Sequence, residues 1–244
     1  MKTIPTLKTL SLVLLAVYLT VTSTLVYILT RANRIVHAEV SMGIGLILIW
    51  VILGGAMMYL FKDRMKVWIL RIPLPWAVKF VLFCTALAML EEAVTTSMTN
   101  LAPLFGVRVG QAYITASANY LDVILHHSVI VFIPWFLGWA WILKHYSFGP
   151  YWVFLLFGLN GLLAESLTFG WNHLSEFGLW IFVYGLMIYL PAYTLPEQRG
   201  ARTPRIWHAL LAFMIPFLIS IPWAIFIHWL SPNHPNIHFP PIQP

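Results

Sequence analysis

Long apolar runs separated by short polar connections dominate the hydropathy pattern of this chain. Seven runs approach or exceed the roughly 20 mainly apolar residues that a helix needs to cross a bilayer. They cover approximately residues 9–30, 40–61, 75–98, 120–143, 150–170, 177–195 and 206–230. Polar or turn-forming residues connect them, as at 62–64 and 196–200. The pattern predicts an all-α, polytopic membrane protein with about seven transmembrane helices.

The composition agrees with this class of protein. Hydrophobic residues make up 60% of the 244 residues, charged residues only 9%, and the mean hydropathy is +0.82. Soluble domains carry about 25% charged residues, so a water-soluble enzyme and a disordered chain are both excluded. We predict one transmembrane helical domain over residues 1–230, followed by a Pro- and His-containing extracytoplasmic tail over 231–244.

The distribution of basic residues predicts the orientation. If residues 62–74 face the cytoplasm, eleven of the 14 Lys and Arg residues lie on or near that side, and only Arg31, Arg34 and Arg108 lie on the other. Cytoplasmic connections of membrane proteins are enriched in Lys and Arg. The N-terminus is therefore expected to be cytoplasmic and the C-terminus outside. The expected location is an integral, multi-pass position in the membrane (the plasma membrane if the source is prokaryotic). The bilayer is the expected partner, and the net charge of +6 records topology rather than nucleic-acid binding.

Glu91, Glu92, His126, His127 and Glu165 lie within predicted spans, where a charge costs several kcal/mol. At about 1.5 Å per residue, Glu91 and Glu92 lie roughly 24 Å from the cytoplasmic start of the third span, and Glu165 about 22 Å along the fifth. His126 and His127 lie about 9 Å from the outer end of the fourth span, which runs inward. In a hydrocarbon core about 30 Å thick, all five fall in one outer layer. We predict that they form the catalytic site.

Four further residues are predicted to support that site. Asp122 precedes His126 by four residues, so a helix would place its carboxylate where it can orient the imidazole. Thr95 shares a helix face with Glu91, and Thr96 with Glu92. Asn160 lies about a turn and a half before Glu165 and would orient water or substrate.

The chemistry of these residue types leaves several roles open. A buried carboxylate is a plausible general base for water, and a histidine can stabilise an oxyanion or donate a proton. No cofactor is required, although glutamate and histidine also suit zinc, iron or manganese. His234 and His238 in the tail are expected to bind metal only weakly by themselves. The same side chains would equally serve helix capping or interhelical hydrogen bonding.

One part of the chain resembles a known family. The pair Glu91-Glu92 late in one span, followed by His126-His127 in the next, resembles the glutamate-type intramembrane proteases, which include the CAAX prenyl proteases, bacteriocin-processing proteins and PrsW-like relatives. The resemblance covers roughly residues 85–180 and implies that the first glutamate activates water while histidines assist the oxyanion. Thr96 stands where the family motif EExxxR has arginine, Val123 stands at the Phe of FxxxH, and no asparagine follows His173 at the third motif.

We therefore expect a membrane-embedded hydrolase, acting on an apolar or membrane-embedded substrate. Glu91 or Glu92 would be the base, His126 or His127 the oxyanion or proton partner, and Glu165 with Asn160 the orienting groups. The alternatives are a proton-coupled transporter, a non-catalytic subunit of a membrane complex or oligomer, and an isoprenoid- or carotenoid-modifying enzyme.

Overall fold

A computed structural model describes residues 6–242 of the chain. Within this part, helices are the regular elements, and no strand longer than an isolated bridge occurs. Eight helical segments follow one another: α1 Leu7–Ala32, α2 Arg34–Arg71, α3 Trp76–Asn100, α4 Tyr120–His127, α5 Val129–His145, α6 Pro150–Phe169, α7 Phe177–Tyr193 and α8 Ile206–Leu230. Short 3₁₀ turns cover Ala102–Phe105 and Trp171–Glu176.

Several of these helices are long and apolar enough to cross a membrane. Five segments meet that description, and α4 with α5 makes a sixth if the bent pair is one span. The predicted all-α class is confirmed, and these apolar helices suggest membrane insertion. The third predicted span, α3, is 25 residues long but does not belong to this group. Its second half carries Glu91, Glu92 and several polar residues. The count of seven and the orientation of the termini stay predictions.

The predicted connection at 62–64 is wrong, because α2 continues as a helix to Arg71. No glycine or proline interrupts the chain between Ala56 and Ile72. The polar side chains in this stretch also make contacts within α2 and with α7. Lys62 Nζ lies 3.8 Å from the centroid of the Tyr59 ring, and Tyr193 Oη of α7 donates to Asp63 at 2.6 Å. The helix ends only before Pro73.

The core forms where α7 packs against α6 at close range. A Cβ atom on Gly161 would lie 2.1 Å from the Tyr184 ring, and one on Gly185 would lie 2.5 Å from the ring of Phe154. Glycine at these positions therefore allows the two backbones to approach. On the other side of α7, the indole N–H of Trp50 in α2 donates to the carbonyl of Val183 at 3.0 Å.

The fourth predicted span is broken. Segments α4 and α5 meet at an angle of 48°, and residues Val123–His127 form a π turn in which the N–H of Ser128 donates to the carbonyl of Val123 at 3.0 Å. Isolated π turns interrupt α-helices frequently at functional sites. This one brings the histidine pair to the end of the bundle.

The connection between α3 and α4 lies beside the start of α4 and contacts both α3 and the C-terminal tail. Asn100 Nδ2 donates to the carbonyl of Ala118 at 2.9 Å. The C-terminal tail then lies along this connection: the N–H of His238 donates to the carbonyl of Ala116 at 2.8 Å, and the Phe239 ring stacks on Tyr113 at 4.7 Å. The tail is thereby placed over the start of α4.

Candidate functional site

Asp122 lies at the centre of a cluster of imidazole rings. Its Oδ1 is 3.1 Å from His234 Nε2, and its Oδ2 is 3.0 Å from His238 Nε2 and 3.6 Å from His127 Nε2. The rings also meet one another, with His234 Nε2 at 3.2 Å from His127 Nε2 and at 3.3 Å from His238 Nε2. One ligand-type atom from each of these four residues lies within 4.8 Å of the other three.

The π turn explains why both histidines of the pair reach Asp122. The prediction that Asp122 pairs with His126 is confirmed, because the two side chains meet at 3.2 Å. An ordinary α-helix would turn His127 away, since adjacent residues differ by about 100°. The wider turn brings the residue five positions on to the same side, so His127 joins the cluster while His126 stacks on His234 at 4.3 Å. Asp122 also lies beside the hydroxyl of Ser117.

The two tail histidines are partly shielded by this arrangement. Side-chain exposure is 24% for His234 and 32% for His238, against 13% for Asp122 and 9% for His127. His126 is the most open of the group at 38%. Next to the cluster, burial raises the pKa of the Tyr113 phenol, and the charge of Glu39 adds to the effect. Tyr113 therefore remains neutral while it stacks on Phe239.

A second polar group lies deeper in the bundle. Glu91 and Glu92 of α3 are only 4% and 6% exposed. Both lie close enough to Glu165 of α6 for their charges to interact. The hydroxyl of Tyr184 in α7 donates to Glu165. Two helices, α3 and α6, thus place these acids in the same part of the interior.

Glu92 connects the two groups. Thr95 Oγ1 donates to Glu92 Oε2 at 3.0 Å, which fixes one side of the carboxylate. Glu92 also lies beside the hydroxyl of Ser128, the residue that directly follows His127. Ser128 thus links the interior acid Glu92 to the segment that carries His127.

Other predicted supporting residues have different contacts. Thr95 serves Glu92 and not Glu91, because its hydroxyl reaches back three residues along the helix to the Glu92 carbonyl as well as the carboxylate. Asn160 is fully buried and donates to the carbonyl of Phe213 in α8 at 2.7 Å, so its amide joins two helices. Thr96 is buried, and its Oγ1 has no hydrogen-bond partner within the described residues.

The sequence-based site omitted four residues that the structure brings in: His234, His238, Ser128 and Tyr184. A signal existed for the two histidines. They are spaced four apart in the tail, which the predicted topology places on the same side of the membrane as His126 and His127. For Ser128 and Tyr184 the sequence carries no comparable signal, because an isolated hydroxyl in an apolar span is common.

Comparisons of the chain with protein-family models, curated proteins and solved structures find no match. The class that the described fold defines is an all-α protein with several long apolar helices and a polar cluster at one end of its bundle.

Proposed function

We propose that this protein is a membrane-embedded hydrolase whose reaction takes place where the interior carboxylates meet the histidine cluster. The observation that carries the proposal is the position of Glu92. Its buried carboxylate is held by Thr95 and lies beside Ser128, next to His127 in the chain. A carboxylate and imidazoles on adjoining segments are the groups that acid–base hydrolysis needs.

Each polar group has a role in this scheme. Glu92 accepts the proton of the attacking water, because Thr95 orients it. His127 or His126 stabilises the oxyanion or returns a proton to the leaving group. The proton taken by Glu92 then reaches the leaving group, directly or by way of the histidine, so that both groups return to their starting state. Glu91 and Glu165 lie near Glu92, and Tyr184 fixes Glu165 by its hydrogen bond.

The packing of the rest of the core supports a hydrolase over a transporter. A transport path would need polar groups or space beyond the carboxylates, toward the opposite end of the bundle. Large side chains fill that region: Trp135, Phe136, Trp139 and Phe157 are each at most 3% exposed. This close packing favours a reaction site over a transport path.

The apolar surroundings indicate the kind of substrate. The helices around the site expose large hydrophobic side chains along their outer faces, which are the surfaces that acyl chains cover in a bilayer. A substrate with an apolar body and one ester or amide bond fits a site in this position. Because the chain resembles glutamate-type intramembrane proteases, a peptide bond is one candidate for the bond that is cleaved.

The proposal is tested with purified full-length protein in detergent micelles and 4-nitrophenyl octanoate as the probe. We expect hydrolysis above the protein-free rate, and a loss of about 10²–10⁴-fold in Glu92→Gln, the range that positioned acid–base groups contribute. Glu197→Gln is the matched control, since the Glu197 side chain is 89% exposed. Far-ultraviolet circular dichroism checks that each variant keeps its helices.

Two results would overturn the proposal. One is a wild-type protein that does not accelerate hydrolysis of the probe. The other is a helical Glu92→Gln variant that hydrolyses it at the wild-type rate, because the carboxylate would then have no part in the reaction.

A further inference from the structure

The geometry points to a site for one divalent transition-metal ion, of the zinc class, at Asp122, His127, His234 and His238. The site joins two parts of the chain that are distant in sequence, the start of α4 and the C-terminal tail. The inference stands on side-chain positions alone and does not depend on hydrolysis. With the ion bound, His127 Nε2 is a ligand, so the histidine role in the proposed hydrolysis falls to His126.

Most of the separations between the candidate ligand atoms are close to those of tetrahedral coordination. A zinc ion binds imidazole nitrogen at about 2.0–2.1 Å and carboxylate oxygen at about 2.0–2.2 Å. Two ligands of a regular tetrahedron with such bonds lie about 3.3–3.4 Å apart. The Nε2 atoms of His127 and His234 are 3.2 Å apart, and those of His234 and His238 are 3.3 Å apart. Asp122 contacts the rings through both oxygens, Oδ1 at 3.1 Å from His234 and Oδ2 at 3.0 and 3.6 Å from His238 and His127, and one ligand atom from each of the four residues lies within 4.8 Å of the others.

The ring nitrogens of the cluster can present lone pairs to a cation at its centre. A neutral histidine carries a proton on only one ring nitrogen, so each Nε2 can act as a ligand when Nδ1 holds the proton. The three Nε2 atoms each lie 3.0 to 3.6 Å from an oxygen of Asp122. An ion among them would therefore meet three nitrogen lone pairs and one negative charge.

The ligand set indicates the class of ion. Three imidazole nitrogens with one carboxylate suit zinc and its first-row neighbours, whereas magnesium and calcium prefer sites made of oxygen. His126 and Ser117 complete the surroundings, since both lie against the Asp122 carboxylate. Groups of this kind orient the metal ligands and raise affinity.

The test is direct metal binding by the full-length protein in detergent. Protein treated with EDTA is equilibrated with zinc, and bound metal is measured by mass spectrometry. We expect one zinc per chain, held in competition with a chromogenic chelator. Cobalt substituted for zinc should give the strong visible absorption of a four-coordinate ion. Magnesium and calcium at the same concentration should not displace either ion.

Variants distinguish zinc binding at this site from nonspecific metal binding elsewhere on the protein. His234→Gln and His238→Gln lie in the tail, outside the helical bundle, so they should leave the helices intact while weakening zinc binding more than about 100-fold. His126→Gln should weaken it by about 10–100-fold, as the loss of an orienting group does. His228→Gln is the matched control, because His228 is exposed near the end of α8 and is not one of the four clustered residues.

Less than half an equivalent of zinc on the wild type overturns the inference, and so does equal zinc affinity in the wild type and His238→Gln. The result is distinguishable from that of the hydrolysis experiment. If the protein binds zinc in this way but leaves the octanoate ester intact, the metal site is supported and the proposed hydrolase is overturned.

Discussion

Asp122 at the start of α4 and His238 in the C-terminal tail meet at 3.0 Å. This contact and those of His234 with Asp122 and His127 join the tail to the start of α4. Beyond the imidazole cluster, the tail is attached by a backbone hydrogen bond to Ala116 and a ring stack on Tyr113. The position of the tail over α4 therefore depends on the contacts that the imidazole rings make.

Zinc should slow exchange of the backbone amide of His238, which donates to Ala116. A ligand present at 100 times its dissociation constant stabilises the bound form by about 2.7 kcal/mol. Exchange that requires the tail to detach should then slow about 100-fold relative to protein in EDTA. Hydrogen–deuterium exchange with mass spectrometry of peptides from 231–242 measures this.

The double variant His234→Gln/His238→Gln serves as the control for that experiment. Its tail peptides should exchange at one rate whether or not zinc is present. Equal exchange in wild-type protein with zinc and with EDTA would show that the tail is held by other contacts.

Acidification should weaken zinc binding. Protons compete with the metal for the three imidazole nitrogens, which must be deprotonated to act as ligands. The dissociation constant for zinc should rise as the pH falls, because protons bind to the metal-free imidazoles and stabilise only the metal-free state. Chelator competition between about pH 8 and pH 5 should show a steady rise in the dissociation constant. A constant value across this interval would contradict coordination by histidine.

The interior half of the site was predictable from the sequence because it depends on depth. Helix rise alone placed Glu91, Glu92 and Glu165 at one level, and the structure brings their charges within interaction distance. Depth does not depend on how each helix is rotated or on local turn type. An isolated charge in hydrocarbon is costly, so acids at one depth are expected to face other polar groups rather than lipid.

The outer half of the site depends on features that helical spacing does not contain. A regular helix predicts the contact of Asp122 with His126 but not with His127, which needs the π turn. The approach of His234 and His238 requires the chain to fold back over α4. That path is set by tertiary contacts such as the stack of Phe239 on Tyr113, and no local pattern encodes it.

Gly161→Ala should destabilise the contact between α6 and α7. The added Cβ would lie 2.1 Å from the ring of Tyr184, a buried residue that cannot move without displacing its neighbours. Overpacking of this kind costs about 1–3 kcal/mol. Gly43→Ala is the control, because no heavy atom lies within 4 Å of its added Cβ and helix propensity favours alanine.

Thermal unfolding in detergent compares the two glycine variants. Gly43→Ala should match or exceed the stability of the wild type, whereas Gly161→Ala should unfold at a lower temperature. If the two variants unfold together, the close approach of α6 and α7 at Gly161 is not as the structure describes.

Tyr184→Phe should destabilise the bundle through Glu165. The change removes the hydroxyl that donates to this acid but keeps the ring that packs between helices. An interior acceptor that loses its donor costs about 1–3 kcal/mol. Tyr193→Phe is the matched control, since its hydroxyl donates to Asp63 at an exposed position where water can take its place.

A double-mutant cycle makes the test of Tyr184 specific. In a Glu165→Gln background, Tyr184→Phe should have a smaller effect on unfolding, because the carboxyl acceptor is already gone. The coupling between the two changes measures the interaction itself, free of any effect of the ring. Strictly additive effects would mean that the Tyr184 hydroxyl and the Glu165 carboxylate do not stabilise one another, and that the interior acids are held by helix packing alone.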